Sequence, residues 1–253
     1  MNVVVFVKFV PDPQGTPKLG SDNLLVREGA DGALDPGDEY GVELALQLAA
    51  SDGEVTAVSM GPEDALSAVR RALAMGAHRG VLVSDSSLRG ADALATARVL
   101  AAAVGRKEFD LAIAGVESTD GYTGTVPVTV AELLGIPSVT AVRTLELQGD
   151  GIRVERQTET GSEVVEAPLP ALVTVTAGAN DPRYPSLKGI MGAKQKPFEQ
   201  LSLTDLAIEA VLVEPQQAVV GVTDVPAKAS GEIVPAEEGV KRIVDLLVEA
   251  KVL

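Results

Sequence analysis

Short runs of aliphatic and β-branched residues alternate in this chain with segments whose apolar residues recur every three or four positions. The short runs are typical of buried parallel strands, and they cover residues 3–7, 54–60, 81–84 and 111–114. The segments with helical spacing cover residues 36–49, 61–75, 91–104 and 126–134. This alternation predicts an α/β fold with a mostly parallel, doubly wound sheet of the adenine-nucleotide-binding, Rossmann-like type.

The pattern changes after Gly135. Residues 142–147 and 152–157 flank a polar Gln-Gly-Asp-Gly turn and predict a β-hairpin addition, with a third strand over residues 163–168. Residues 172–176 return to the core pattern. Residues 218–234 are punctuated by Pro and Gly, and residues 235–253 predict a terminal helix. We therefore expect a nucleotide-binding domain over residues 1–200 and a C-terminal arm with a helix over residues 201–253.

Helix-start signals are clear at Asp35 and Pro36, an N-cap followed by proline at the first helical position, with Asp38 and Glu39 in the first turn. The loops that follow strands, residues 8–13, 59–62 and 115–124, should converge on one edge of the sheet because parallel strands end together.

Charge and composition exclude several functions. The formal net charge is -15 and no basic run is present, so nucleic acid and a membrane surface are unfavourable partners. Cysteine is absent and His78 is the one histidine, which excludes disulfides, thiolate or histidine metal clusters and a serine triad. The apolar N-terminal run is too short to span a bilayer, so we expect a cytoplasmic protein without direct membrane insertion.

Residues 114–135 are rich in glycine and in hydroxyl-bearing residues, and they lie where a predicted strand ends and a predicted helix begins. Such a junction presents unpaired helix-start amides, which favour a phosphate. The glycines and hydroxyls are Gly115, Gly121, Gly124, Ser118, Thr119, Thr123 and Thr125. The alternative is a plain glycine-rich connection in an α/β sheet.

Residues 177–196 form the most basic stretch of this acidic chain and carry apolar side chains in a Gly- and Pro-rich setting. This combination indicates a surface that contacts another protein. The alternative is a tethered loop that packs its own apolar residues.

Seven segments, in order and together spanning essentially the whole chain, resemble the β subunit of the electron transfer flavoprotein family. They are VKFVPD at 7–12, LDPGDEYGVELAL at 34–46, AVSMGP at 57–62, RRALAMGAHRG at 70–80, AGVESTDGYTG at 114–124, IRVERQTETG at 152–161 with PLPALVTV at 168–175, and NDPRYPSLKGIMGAKQK at 180–196.

The resemblance implies an electron carrier subunit rather than an enzyme. It implies a heterodimer with an α subunit that holds most of an FAD, and an AMP bound in this chain. The carrier would take electrons from flavin dehydrogenases, such as acyl-CoA dehydrogenases, and pass them to a membrane quinone oxidoreductase. Carried onto this sequence, the AMP site comprises Phe6, Lys8, Asp35, Met60, Gly115, Ser118, Thr119, Asp120, Gly121, Tyr122, Thr123, Gly124, Thr125 and Val126.

The same resemblance assigns residues 182–196 as a recognition loop for partner dehydrogenases, with Leu187 as the apolar anchor. The implied partner-binding residues are Arg183, Tyr184, Leu187, Lys188, Ile190 and Met191. The C-terminal arm would dock on the α subunit.

Some positions depart from the family. Asp35 stands where many relatives have Asn, and neither Pro13 nor Gly37 is aromatic, which fits a flavin held chiefly by another chain.

Three other functions remain as alternatives. The first is an adenylate-forming or ATP-hydrolysing α/β enzyme, although this sequence lacks the GxxxxGKS/T motif that binds ATP in many such enzymes. The second is a nucleotide-sensing binding protein, and the third is an electron-bifurcating relative with a second FAD in place of AMP.

Overall fold

The computed structural model describes residues 1–12, 14–27, 29–49, 52–223, 225–226, 230–231 and 233–253. Pro13 and parts of the 218–234 segment, for which predictions are given above, lie outside these ranges. The chain divides into two compact units, residues 1–220 and 221–253. The predicted arm begins at residue 201, which is the last residue of a strand in the first unit.

The first unit contains strands and helices in the alternation that the sequence predicts. The strands are β1 (Asn2–Phe6), β2 (Phe9–Pro11), β3 (Gly32–Leu34), β4 (Glu54–Met60), β5 (Arg79–Val83), β6 (Leu111–Gly115), β7 (Ser138–Gln148), β8 (Gly151–Thr158), β9 (Gly161–Pro168), β10 (Ala171–Val175) and β11 (Phe198–Leu201). The α-helices are α1 (Pro36–Leu48), α2 (Leu66–Met75), α3 (Ala93–Val104), α4 (Val126–Leu134), α5 (Leu187–Ala193) and, in the second unit, α6 (Ala236–Glu249). Short 3₁₀ turns cover Glu63–Ala65, Ser86–Leu88 and Ala210–Val213.

Among the described residues, nine strands form one sheet in the order β11-β5-β4-β1-β6-β10-β7-β8-β9. The seven strands from β11 to β7 pair in parallel, whereas β8 pairs antiparallel with both β7 and β9. The predicted α/β class, the mostly parallel sheet and the hairpin addition are confirmed. The chain runs outward from β1 through β4 and β5 and then returns to the other side of β1 with β6. The topological switch point therefore lies between β1 and β6.

Alternating residues of β1 face the two sides of the sheet, as strand geometry requires. Val3 and Val5 belong to an apolar cluster that includes residues of α1, α2 and α5. Val4 and Phe6 belong to a second cluster, which includes residues of α3 and α4. Helices thus cover both faces, which accounts for the continuous apolar runs of the central strands.

Three elements differ from the sequence prediction. A small antiparallel sheet of β2 and β3 follows β1, and β2 lies within residues 8–13, which were predicted as a loop. The edge strand β11 pairs in parallel with β5, although its sequence, Phe-Glu-Gln-Leu, has neither an apolar run nor a polar–apolar alternation that would predict a strand. The predicted recognition loop contains the seven-residue helix α5, whose glycines hide the helical pattern.

The second unit contains α6, which begins one residue after the predicted start and ends at Glu249. None of the residues of α6 is buried, and its exposed apolar residues are Val240, Ile243, Val244, Leu246 and Val248. Within the described ranges, no helix has both the length and the apolarity that a membrane crossing requires.

Candidate functional site at the β1–β6 crevice

The carboxyl ends of β1 and β6 border a crevice at the switch point of the sheet. Lys8 follows β1, and Gly115 is the last residue of β6. The N-terminus of α1 lies against both strand ends, because Asp38 in its first turn accepts hydrogen bonds from their backbone amides. Open α/β sheets bind ligands in this position.

Asp38 is a buried carboxyl group that holds the two strand ends together. Its Oδ2 accepts a hydrogen bond from the backbone amide of Lys8 at 2.7 Å, and the amide of Gly115 donates to it as well. Burial, and next the neighbouring Asp35, raise the pKa of Asp38 to about 8. A Cβ atom on Gly115 would lie 2.7 Å from Asp38 Oδ1, so any other residue there would displace the Asp38 carboxyl group.

Asp38 was predicted in the first turn of α1 but not as a site residue. Acidic residues are common in the first turn of helices in general. The burial of Asp38 against two strands therefore could not be predicted from its position in the sequence.

Asp35 is fully buried and connects α1 to the loop after β6. Its Oδ1 accepts from the amide of Gly37 at 2.8 Å, which caps the helix as predicted. Its Oδ2 accepts from the backbone amide and the hydroxyl of Thr119 at 2.7 and 2.8 Å. Both carboxylate oxygens are thus engaged by the protein, and Asp35 fixes the position of the loop.

Asp120 lies at the centre of a charged cluster on the same loop. Its side chain is 4% exposed and accepts from Lys8 Nζ at 2.6 Å and from Arg27 Nη2 at 2.6 Å. Burial alone would raise the pKa of Asp120, but the charges and hydrogen bonds of Lys8 and Arg27 outweigh it and hold the pKa below its usual range. Lys8 Nζ also donates to Ser118 Oγ at 3.0 Å.

Arg27 was not predicted as a site residue. It lies in the long connection between β2 and β3, and nothing in the local sequence indicates that it reaches a carboxylate 93 positions away.

The loop from Ser118 to Gly124 turns tightly before α4 begins. The carbonyl of Ser118 accepts from the amide of Tyr122 at 2.9 Å and from the amide of Gly121 at 3.3 Å. Tyr122 and Gly124 have φ angles of +50° and +61°, and Tyr122 is 66% exposed. A left-handed conformation at Gly124 carries little cost because the residue has no Cβ.

Backbone amides at the start of α4 are available to a ligand. Thr125 precedes the helix without a side-chain cap, and Pro127 in its first turn has no amide hydrogen. Within the described part of the chain, no intramolecular hydrogen bond uses the amides of Thr123, Gly124, Thr125 or Val126. These donors, added to the positive end of the helix dipole, are suited to an anion such as a phosphate.

Two further predicted residues lie in or next to the core at this edge of the sheet. Phe6 ends β1 and is 8% exposed, packed in the second apolar cluster. Met60 ends β4 and is half-buried against the same cluster.

The predicted recognition segment forms an exposed apolar surface on α5 and the residues before it. We call Tyr184, Leu187, Ile190 and Met191 the docking patch. Their exposed fractions are 88% for Tyr184, 81% for Leu187, 51% for Ile190 and 74% for Met191. Lys188 is exposed beside them. Arg183 instead pairs with Glu43 of α1, with Nε 2.7 Å from Oε2.

Comparison with known proteins decides the family. A sequence profile described as the electron transfer flavoprotein domain matches residues 22–206. The electron transfer flavoprotein subunit beta of Mycobacterium tuberculosis strain H37Rv is 42% identical, with 100% of this chain and 99% of the relative covered. The protein of that description from Bacillus subtilis is 40% identical over 100% of both chains, and the one from Megasphaera elsdenii is 34% identical over 94% of this chain and 88% of its own.

The chain belongs to the electron transfer flavoprotein β-subunit family. It is therefore an electron transfer protein, and the resemblance stated from the seven sequence segments is confirmed. In the described ranges, no group of three or more His, Asp or Glu side chains is arranged to hold a metal ion.

Proposed function

We infer that this chain is the β subunit of a heterodimer whose α subunit holds most of an FAD, and that its own crevice holds an AMP. The complex would work in the cytoplasm, accepting electrons from flavin dehydrogenases such as acyl-CoA dehydrogenases and passing them to a membrane quinone oxidoreductase. The observation that carries the proposal is the start of α4 at the switch point of the sheet, where four successive backbone amides make no hydrogen bond within the described part of the chain.

The hydrogen-bond donors of the crevice fit a nucleoside monophosphate. The amides from Thr123 to Val126 and the start of α4 suit the phosphate. Lys8 and Arg27 together carry one positive charge more than Asp120 neutralises, and Lys8 is 38% exposed. Both oxygens of the buried Asp35 carboxylate accept hydrogen bonds from protein donors, three in all, which stabilise its charge beside the proposed anion site.

The flavin supplies the redox chemistry of the complex when it is bound. This chain supplies binding and orientation: the crevice holds the nucleotide, and the docking patch meets the partner. Leu187 would be the anchor, because a highly exposed leucine on a basic segment suits a small, short-lived interface. The arm from residue 201 onward would dock on the α subunit, for which the exposed apolar side chains of α6 are suited.

The decisive experiment is to purify this chain with its α subunit, denature the complex and separate the released nucleotides by chromatography. We expect FAD and AMP in equal amounts. Two FAD and no AMP would establish the bifurcating arrangement, and the absence of any adenine nucleotide besides the single FAD would overturn the crevice assignment.

A second assay tests the carrier role. The purified complex should be reduced by an acyl-CoA dehydrogenase in the presence of its acyl-CoA substrate, followed by the change in flavin absorbance. A complex that a chemical reductant reduces but several flavin dehydrogenases do not would contradict the proposed place in electron transfer.

A further inference from the structure

We propose that Glu43 is a positioning residue for partner recognition: its buried carboxylate holds Arg183 and thereby fixes the docking patch in the orientation that partners bind. The inference rests on the proposed docking function of the patch. Glu43 itself lies on α1 beneath the surface, with a side chain 5% exposed, so it acts through Arg183 and not by contact with a partner.

The contact between the two residues is a fork that matches two planar groups. Arg183 Nε donates to Glu43 Oε2 at 2.7 Å, and Nη2 donates to Oε1 at 2.9 Å. The backbone amide of Arg183 donates to Oε2 at 3.2 Å, so the main chain is held as well as the side chain. Gln47 Nε2 adds a fourth hydrogen bond to Oε1 at 2.9 Å. Bidentate pairs of this kind fix geometry as well as contributing energy.

The electrostatics of the site keep this carboxylate ionised. Burial raises the pKa of Glu43, but hydrogen bonds from Arg183 and Gln47 together with the charge of Arg183 outweigh burial and hold the pKa below its ordinary value. The fork is therefore fully formed at neutral pH.

Other contacts hold the same segment along its length. Asn180 Nδ2 donates to the carbonyl of Tyr40 on α1 at 3.0 Å. Gly189 of α5 lies against the carbonyl of Ala74 so closely that a Cβ atom would clash with it. After α5, Lys196 Nζ donates to the carbonyls of Leu73 and Ala77 at 2.8 and 2.6 Å and so caps the C-terminus of α2.

Such fixation is needed because α5 has seven residues and buries only Ala193. A helix of that length is not stable by itself in water. Held in advance, the patch loses less conformational freedom when a partner binds, and less of the interaction energy is consumed in ordering it.

The arrangement also divides the basic residues of the segment into two kinds. Arg183 and Lys196 are engaged with protein acceptors, whereas Lys188 and Lys194 are exposed. The charge of Arg183 is paired with Glu43, so Arg183 acts on the docking patch through geometry.

The test uses Arg183→Lys in the complete complex, because lysine keeps the charge and loses the fork. The matched control is Arg153→Lys, which changes an arginine paired with exposed Glu166 on the hairpin. Hydrogen exchange measured by mass spectrometry should become faster at residues 184–191 in Arg183→Lys and should stay as in the wild type in Arg153→Lys. Wild-type exchange in both variants would overturn the proposal.

Electron transfer supplies the functional readout, with an acyl-CoA dehydrogenase as the partner and the complex as the varied substrate. We expect Arg183→Lys and Glu43→Gln to raise the KM for the complex roughly tenfold with kcat little changed, because the anchor is presented less often in its binding orientation. In a Leu187→Ala background the same substitutions should have little further effect, since the anchor is already absent. A merely structural role would instead give independent effects.

The two levels of the inference fail separately. If Leu187→Ala transfers electrons as the wild type does, the docking patch is not the partner site and the proposed function of the segment is wrong. If Leu187→Ala is slow but Arg183→Lys keeps the wild-type KM, the docking patch stands and the positioning role of Glu43 is refuted.

Discussion

Asp35 and Thr119 lie 84 positions apart, yet one carboxylate oxygen of Asp35 accepts both the backbone amide and the hydroxyl of Thr119. The other oxygen caps α1 through Gly37. This single side chain thus joins the first turn of a helix to the loop that borders the crevice.

We expect Asp35→Ala to lower the free energy of unfolding by on the order of 2 kcal/mol, because it removes a helix cap and leaves buried donors of Thr119 without an acceptor. Asp35→Asn should cost less, since one amide oxygen can serve either Gly37 or Thr119. Urea denaturation of both variants checks this, with Thr119→Val as a variant that removes only the hydroxyl. Equal midpoints for Asp35→Ala and the wild type would contradict it.

Asp38 should make stability fall with rising pH. Its pKa is raised by burial and by Asp35 to about 8, so between the pKa of the unfolded chain and about 8 the folded state retains a proton that the unfolded state releases. Raising the pH through this window therefore favours unfolding.

Asp38→Asn cannot titrate at this position. As the pH rises from 6 to 9, we expect the difference in free energy of unfolding between Asp38→Asn and the wild type to shift in favour of the variant by on the order of 2 kcal/mol. Urea midpoints of the two proteins at both pH values give the measurement. If the difference in urea midpoint between the two proteins is the same at both pH values, Asp38 is ionised throughout this range and its pKa is not raised.

Gly124 and Gly149 share a φ angle of +61° but lie in different places, Gly124 before α4 and Gly149 in the turn of the β7–β8 hairpin. A Cβ atom would meet no close neighbour at either position, so alanine introduces backbone strain in both without a clash. Each substitution should cost roughly 1–2 kcal/mol of stability.

Only Gly124→Ala should also weaken retention of AMP, because its strain is placed among the amides that we assign to the phosphate. The comparison measures AMP released per complex after gel filtration of the two variants. Equal AMP content in Gly124→Ala and Gly149→Ala would remove the start of α4 from the nucleotide site.

Leu187→Ala should slow electron transfer from flavin dehydrogenases at subsaturating concentrations of the complex. Truncating an interface anchor typically costs on the order of 2 kcal/mol, or roughly a thirtyfold weaker encounter. The matched control is Leu147→Ala on the hairpin, where the side chain is 49% exposed but lies outside the docking patch. Steady-state rates with several dehydrogenases check the prediction, and an equal loss in both variants would indicate a general effect on stability.

Local patterns predicted the elements with strong periodicity. The strand Glu54–Met60 was predicted with its exact bounds, and Asp35 with Pro36 correctly marked the start of α1. In these places the residues that decide the structure are neighbours in sequence. The edge strand β11 was missed because its stabilisation comes from main-chain pairing with β5, which leaves no apolar run to detect.

The contacts that organise the site could not be predicted from local sequence patterns. Arg27 reaches Asp120 across 93 positions, and Arg183 reaches Glu43 across 140. Pairings of this kind have no period and no local motif, and each partner alone is consistent with an ordinary exposed charge. The glycine-rich loop could be located from sequence, whereas the carboxylates and cations that hold it in place required the fold.

The position of the crevice between β1 and β6 has a consequence for the order of events during folding. β1 can pair with β4 as soon as the first βαβ unit is made, but the crevice has only one wall until β6 is added on the opposite side. Lys8 and Asp120 meet across 112 positions, so closing the site has an entropic cost that early local contacts do not have. The proposed nucleotide site therefore forms only after β6 has paired with β1, later than the local contacts of the first βαβ unit.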